Sequence, residues 1–494
     1  MTAIQKVIRR ILLTLTGIAG LILVALAAGT VYYLATRLHP WDFIAPLTTR
    51  VLIAENGIMD PLLSAVHGQF RGIRSLCENL ERVAAIHPSL RQILVRLEKR
   101  VLMAETINGR GILIADTGWH SLFLPGGGLA VRSIFNPEGS ARFSAREENT
   151  AGVAYIVYGI SPSSEEETFH IALLGNILLV AEDAAAIAAA IQTSRASDTR
   201  VPWKMLAEAF SGENLRILYA PGHSPVYIPG RERLNLTGIG SALSLRIDAR
   251  KSARVFIRSF FDPGTGDGQG AGRMLRSNQY HASRVLPDGL ESYTTLLFDD
   301  MQELIQLAGN LGAEDFEMRD TETAGIHDWA ATEIAFFSRN RQNFVRVTAQ
   351  NASRACAALE RSSAPDCILE NRNTYRLLRA RLPGFMRAFT PFAAWITQLG
   401  YCVQQKSVFT FGETPESLKE LISPQKKSAL PEEFLSLANE KANLLLFSKG
   451  VCAFFPGSLS IAQASGLDGN KMHSFARIRL TRGEIQSEIL LAEY

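Results

Sequence analysis

The stretch "TFHIALLGNILLVAEDAAAIAAAIQTS", residues 168–194, contains both kinds of secondary structure that decide the fold. Two apolar runs flank Gly175–Asn176, which is a strong two-residue signal for a β-hairpin turn. A helix should follow, because Asp183 suits its N-cap, and Ile187 and Ile191, four residues apart, mark its apolar face. A second hairpin is predicted over residues 241–261. Hairpins mixed with helices predict an α+β fold with antiparallel sheets.

The same pattern recurs later in the chain. "ILLVAEDAAAIAAAIQ" aligns with "SVFTFGETPESLKELIS" at an offset of 231, which places Leu178 on Phe409 and Ile187 on Leu418. Gly222 then falls on Gly450 at an offset of 228, and the hairpins that follow align at 233. Trp203 also falls on Phe434 at an offset of 231. These four matches, in the same order, predict two similar tandem α+β modules.

Earlier segments align at smaller offsets. Trp119 falls on Tyr293 at an offset of 174, and Ile156 falls on Ile334 at an offset of 178. The jump to 231 predicts an insertion near 345–400 in the second module. Helical spacing predicts helices within 58–105, and alternating glycines predict a flexible linker after residue 261. The predicted divisions are a cytoplasmic N-terminus (1–10), a transmembrane anchor (11–36), a helical juxtamembrane region (37–109), a first module (110–261), a Gly-rich linker (262–284) and a second module (285–494).

The segment 11–36 carries no charged residue, and basic residues precede it at Lys6, Arg9 and Arg10. About twenty apolar residues are enough to cross a bilayer. Basic residues ahead of a span favour a cytoplasmic N-terminus, so residues 38–494 should be extracytoplasmic. Cleavage of a signal peptide after Ala27 is the alternative, but the aromatic pair that begins at Tyr32 suits a retained helix at the membrane interface.

Composition and motifs exclude several classes of function. A formal net charge of +3 over 494 residues, with no run of five or more basic residues, gives no support to nucleic-acid binding. The nine histidines and five cysteines form no metal-ligand spacing, so neither a metal nor another cofactor is predicted. The four cysteines from Cys356 onward could form two disulfides or remain buried free thiols. No catalytic motif is complete, so the sequence favours a protein that is not an enzyme.

One aromatic segment is the candidate interaction surface. It lies within the predicted insertion and could bind a membrane surface or a partner groove, or could cap the core of its own module. Its apolar residues lie at mostly helical steps: Phe385, Met386, Phe389, Phe392, Trp395 and Ile396.

The layout as a whole resembles bacterial membrane-anchored envelope proteins built from repeated α+β modules. That resemblance implies a single-pass protein of the inner membrane, anchored in the lipid bilayer through residues 11–36. Binding or scaffolding, with an envelope protein or an apolar ligand as partner, is the leading hypothesis. The alternatives are an extracytoplasmic hydrolase with a dispersed site and a carrier of an apolar or lipid ligand.

Overall fold

The computed structural model divides into two compact units, residues 1–200 and 201–494. Each unit combines helices with antiparallel strands, so the mixed helix-and-strand fold is confirmed. The Gly-rich linker lies outside the described residues, apart from Asp262. The structure describes residues 3–55, 70–86, 101–117, 142–161, 169–195, 201–213, 215–223, 238–248, 252–262, 289–297, 330–362, 366–380, 394–422, 437, 442, 444–450, 455, 458–481 and 483–493.

The first unit begins with a long apolar helix and continues with an antiparallel sheet, to which its described residues contribute seven strands. Its strands pair in the order β1-β2-β3-β7-β6-β5-β4. The helices are α1 (Ala3–Thr36), a 3-10 helix (Pro40–Phe43), α2 (Arg71–Ile86) and α3 (Ala184–Arg195). The strands are β1 (Thr48–Ala54), β2 (Val101–Thr106), β3 (Gly111–Asp116), β4 (Arg142–Thr150), β5 (Val153–Ser161), β6 (Phe169–Leu174) and β7 (Ile177–Ala181).

The central strands of this sheet are buried on both faces. All five residues of β7 are buried, as are the first five of β2 and of β3. Continuous apolar runs of this kind belong to strands that are covered on both sides. The predicted hairpin at Gly175–Asn176 is confirmed, and so is the helix α3, whose Asp183 carboxylate accepts the Ala185 N–H at 2.8 Å.

The predicted helical region 37–109 needs a correction. Helix α2 confirms one helix there, but residues 48–54 and 101–106 form the strands β1 and β2, which pair with each other. The sequence "VLMAET" of β2 predicts a helix because its short apolar run, residues 101–104, fits both the helical period and a fully buried strand. Burial on both faces removes the alternation that identifies a strand.

In the described part of the second unit, thirteen strands form an antiparallel sheet in the order β8-β9-β10-β20-β19-β18-β11-β12-β13-β17-β16-β15-β14. Strands β8–β13 are Leu215–Tyr219, Gly238–Asp248, Ser252–Phe261, Leu290–Leu297, Ala330–Arg339 and Gln342–Ala349. Strands β14–β20 are Ile368–Asn371, Arg376–Leu378, Tyr401–Gln405, Val408–Gly412, Leu444–Lys449, Met472–Thr481 and Glu484–Glu493. The helices are α4 (Trp203–Glu208), α5 (Ala352–Ser362), a 3-10 helix (Ala394–Gln398), α6 (Pro415–Ile422) and α7 (Ser458–Ala464).

Aromatic side chains fill much of the core of the second unit. Phe337 stacks on Phe344 with ring centroids 5.2 Å apart, and Leu418 of α6 packs into the same cluster. Strand β10 differs, because its buried residues alternate with partly exposed ones. One face of β10 therefore packs on the core while the other is accessible to solvent.

Candidate functional site

Helix α1 is the one helix in the described part of the chain that is long and apolar enough to cross a membrane. From Ile18 to Leu34, where its side chains are described, most of its large apolar side chains are exposed. Leu21, Leu23 and Val31 are exposed by 72%, 67% and 68%. A surface of this size without polar groups is unstable in water, whereas a bilayer would cover it.

The end of α1 is joined to the first unit by a network of polar contacts, which we call the stem joint (Arg37, Leu38, Asp116 and Asn176). The guanidinium of Arg37 donates to the Asp116 carboxylate at 2.6 Å. The Asn176 amide oxygen accepts the Leu38 N–H at 2.8 Å, and its amide nitrogen donates to the Leu38 carbonyl at 3.0 Å. Tyr33, in the last turn of α1, is only 6% exposed.

The electrostatics of the stem joint hold Arg37 in its charged form. Its hydrogen bond with the Asp116 carboxylate raises the pKa of the Arg37 guanidinium above its ordinary value. The second oxygen of Asp116 accepts from Asn176 at 2.8 Å. Because Asn176 is 3% exposed, its side chain binds the stem in a site largely shielded from water.

The sequence explains how this joint forms. Asn176 is the second residue of the turn between β6 and β7, and Gly175 takes the positive φ of 54° that such a turn requires. Asp116 ends the neighbouring strand β3, which pairs with β7. Two short polar side chains therefore lie at one end of the sheet. The turn could be predicted from the sequence, but the binding role of Asn176 could not.

The predicted interaction surface is only partly described. Phe385, Met386, Phe389 and Phe392 lie outside the described residues. Trp395 is half-buried in the 3-10 helix Ala394–Gln398, and Ile396 is fully buried. Ile396 therefore does not contribute to an exposed face, and the interaction surface stays a prediction.

The cysteines and possible metal ligands give no reactive centre in the described ranges. Cys77, Cys356, Cys367 and Cys402 are buried free thiols, and Cys452 lies outside those ranges. Burial raises the pKa of the Cys402 thiol well above its ordinary value, so it is held protonated and unreactive. Among the same residues, no group of His, Cys, Asp and Glu has the arrangement of a metal site.

A second candidate site lies on the accessible face of β10, β20 and β19, and we call it the arginine groove. It encloses about 620 Å³, and its lining includes Phe210, Phe256, Arg258, Arg477, Arg479 and Gln486. Arg258 pairs in register with Gln486, and Gln486 with Arg479. Side chains paired in this way project from the same face of a sheet.

Two of the arginines in this groove are neutralised by glutamates. Arg258 donates through two nitrogens to the Glu484 carboxylate, which raises the pKa of Arg258. Arg477 donates to Glu488 at 2.6 Å, and Glu488 is 9% exposed. This site was not predicted from the sequence. A signal was present, since Arg254 and Arg258 flank Phe256 with strand alternation, and Arg477 and Arg479 alternate in the same way.

Comparisons with known proteins do not assign the chain to a family. No protein-family model matches it, and no curated protein matches it significantly. Two solved structures are similar in part: crystal form IV of TP0453, at 11% identity and a TM-score of 0.27, and crystal form I of TP0453, at 12% and 0.25. Each match covers 46% of this chain, and 82% or 80% of the other. A similarity this distant carries no argument about function.

Proposed function

We propose that the protein is a single-pass membrane protein of the bacterial inner membrane, which acts by binding from an extracytoplasmic body. The observation that carries this proposal is the pairing of the unpacked helix α1 with the stem joint. An apolar helix that ends in a polar joint to a folded unit suits an anchor that holds its body at the membrane surface. Scaffolding of an envelope partner is compatible with the same architecture.

The charges near the helix support the orientation. Lys6, Arg9 and Arg10 precede the uncharged segment, and basic residues remain on the cytoplasmic side of a span. At the other end, the one basic residue close to the span, Arg37, is ion-paired with Asp116. The more basic end of the helix is therefore the N-terminal one, which favours a body outside the cytoplasm.

Membrane fractionation tests the anchor. We expect the full chain to stay in the membrane fraction after high-salt and alkaline washing, and the mass of the mature protein to include residues 1–27. The double variant Leu21→Arg/Leu23→Arg should fail to insert, because each arginine at the centre of a span costs about 2.5–3.5 kcal/mol. The matched control Leu21→Ala/Leu23→Ala should still insert.

Two outcomes would contradict the proposal. Release of the unaltered chain by high salt would mean that α1 does not span the bilayer. A mature protein that begins after Ala27 would mean that the segment is a cleaved signal. Orientation needs its own measurement: a C-terminal tag should be degraded by protease added to intact spheroplasts, and a protected tag would place the body inside.

We further propose that the chain contains a tandem duplication, with copies at residues 48–261 and 290–493. Its support is the strand order. The run β1-β2-β3-β7-β6-β5-β4 in the first unit has the same connectivity as β11-β12-β13-β17-β16-β15-β14 in the second. The run β8-β9-β10 matches β18-β19-β20.

This division differs from the one predicted from sequence. When the strand orders of the two units are compared, β12 is the counterpart of β2. The sequence alignment instead placed Ile334 of β12 on Ile156 of β5. Residues 111–181 and 342–412 each contain five matched strands, and the first and the last of the five begin at the same offset of 231. The duplication that we propose therefore needs no insertion near 345–400, and its first copy begins at β1 instead of at residue 110.

A further inference from the structure

We propose that the arginine groove of the second unit binds an oxyanion, either a carboxylate or a phosphate, that is attached to an apolar body. The inference deepens the binding part of the proposed function by naming the chemical class of the ligand. It stands on the groove alone, so its test can fail while the anchor is still found in the membrane.

Both glutamate carboxylates at the groove are already paired with arginines. Glu484 accepts from two nitrogens of Arg258. Glu488 accepts from Arg477 at 2.6 Å and lies 3.8 Å from Arg254. The third guanidinium nitrogen of Arg258 donates to the backbone carbonyl of Ala209 at 3.0 Å. These contacts leave neither of the two glutamates for another cation.

Arg479 is a further arginine of the groove, and neither glutamate pairs with it. It is exposed on β19, next to Gln486, and it makes no hydrogen bond or ion pair with any residue that the structure describes. Its guanidinium presents five N–H donors in a planar fork, which matches the two oxygens of a carboxylate or phosphate. Since Gln486 already donates to Glu484 at 3.3 Å, Arg479 would supply the main polar contact to a ligand.

The surroundings of Arg479 favour an amphiphilic ligand over a bare ion. The rings of Phe210 and Phe256 line the same groove and offer apolar contact area. Arg246 lies over the ring of Phe256, with the guanidinium carbon 5.4 Å from the ring centroid, and its charge is already balanced by an ion pair with Glu213. A ligand with its charged headgroup at Arg479 and its apolar part against the two phenylalanines would use both the polar and the apolar contacts of the groove.

Such an oxyanion could belong to a membrane lipid or to a soluble metabolite. The full-length protein, held in uncharged maltoside micelles, should be titrated calorimetrically with dihexanoyl phosphatidate, hexanoate, glycerol 3-phosphate and inorganic phosphate. We expect dihexanoyl phosphatidate and hexanoate to bind more tightly than inorganic phosphate, and binding should weaken as salt is raised. Tight binding of phosphatidate alone would identify a lipid, whereas equal binding of hexanoate would identify a soluble amphiphile.

Substitution of Arg479 provides the decisive comparison. Arg479→Gln should lower the affinity for the tightest probe by about tenfold or more, because a charge-assisted hydrogen bond pair is lost. Arg479→Lys should retain part of the affinity, since the charge remains without the fork. Because Arg479 is exposed and unpaired among described residues, neither variant should disturb folding.

Arg195→Gln is the matched control, since Arg195 is an exposed arginine at the end of α3 in the other unit. It should bind every probe as the unaltered protein does. The proposal is overturned if none of the four probes binds at millimolar concentration, or if Arg479→Gln and Arg195→Gln have the same affinity. Tighter binding of inorganic phosphate than of the amphiphilic probes would also overturn it, because the apolar contacts would then contribute nothing.

Discussion

The turn between β6 and β7 in the first unit and the turn between β16 and β17 in the second have the same backbone role and different side chains. In the first turn the carbonyl of Asn176 accepts the N–H of Thr117 at 2.7 Å. In the second the carbonyl of Ser407 accepts the N–H of Ala349, also at 2.7 Å. Both bonds join the turn to the end of the neighbouring strand, so one backbone arrangement occurs twice.

The side chains at these turns differ in what they can bind. The Asn176 amide reaches Leu38 and Asp116 and so holds the stem of the anchor, whereas the shorter Ser407 offers one hydroxyl. Beyond each turn a helix begins with a side-chain cap, from Asp183 in one case and Thr414 in the other. A shared backbone framework therefore sets the position of each turn, and a single side chain, that of Asn176, makes the attachment to the stem.

The largest expected effect concerns the first residue of the third strand in each run. Gly111 of β3 lies so close to the backbone of Gly72 in α2 that a Cβ would collide with the Gly72 carbonyl. Gly111→Ala should therefore destabilise the first unit by more than about 4 kcal/mol, or prevent its folding. Thermal unfolding of the full chain in micelles would measure this.

Gln342 occupies the equivalent place in β13 and is only half-buried. Gln342→Ala should change stability by no more than about 0.5 kcal/mol. Equally small effects of the two substitutions would contradict this prediction, since they would mean that α2 and β3 do not pack through Gly72 and Gly111.

The second expected effect tests whether α3 and α6 are equivalent. Ile187 and Leu418 are fully buried and occupy matching positions on the two helices. Truncation of either to alanine removes three methyl or methylene groups from a packed core and should cost about 2–5 kcal/mol. Urea unfolding curves of Ile187→Ala and Leu418→Ala give the values, with the exposed Lys204→Ala as a control that should be close to neutral.

A large cost at one position and none at the other would count against the proposed duplication. Leu418 has an additional reason to be sensitive, because its side chain packs tightly on Gly412. If the two costs differ, Leu418→Ala should be the larger.

The helices and hairpins compared here could be read from the sequence in large part. The turn at Gly175–Asn176, the cap at Asp183 and the buried pair Ile187 and Ile191 on α3 follow from local spacing, and each is confirmed. On α6, Leu418 is buried as predicted. The strands β1 and β2 could not be read, because both are buried along nearly their whole length and show no alternation.

The candidate sites were harder to predict for a different reason. The stem joint depends on a pairing between β3 and β7, and the arginine groove depends on a pairing between β10 and β20, which lie far apart in the sequence and bring Arg258 beside Gln486. Periodicity shows which residues share a face of one strand. It does not show which distant strand lies beside it, and the groove exists only through that pairing.

The third effect separates the two turns directly. Asn176→Ala should remove both hydrogen bonds to the partly buried Leu38 backbone groups, at a cost of about 1–3 kcal/mol for the two. Hydrogen exchange of the Leu38 amide should accelerate, whereas Ser407→Ala should leave exchange at that amide unchanged. If Asn176→Ala leaves the exchange rate unaltered, the stem is held by the Arg37–Asp116 ion pair instead.

The smallest expected effect concerns one glutamate in each run, Glu105 on β2 and Glu333 on β12. Burial is the largest cause of the raised pKa of both carboxyls. It outweighs the lowering of the pKa by the charge of Arg50 near Glu105 and by the hydrogen bond from Thr295 to Glu333. A raised pKa means that the folded state favours the protonated form. The stabilisation from each group is therefore fully present below the unfolded pKa, near 4.5, and is lost as the pH rises through the folded value.

The free energy of unfolding should accordingly gain a favourable contribution from each glutamate as the pH is lowered from 7 to 4.5. Glu105→Gln and Glu333→Gln should each remove that contribution, because the amide does not titrate, and each should make the protein at least as stable at pH 7. Glu416→Gln, at an exposed position near the start of α6, is the control, and it should leave the pH dependence of the free energy of unfolding unchanged. If the glutamine variants at the two buried positions lose stability at pH 7 instead, Arg50 and Arg346 must stabilise the charged carboxylates by more than burial costs, and the two runs would share a buried ion pair in place of a buried acid.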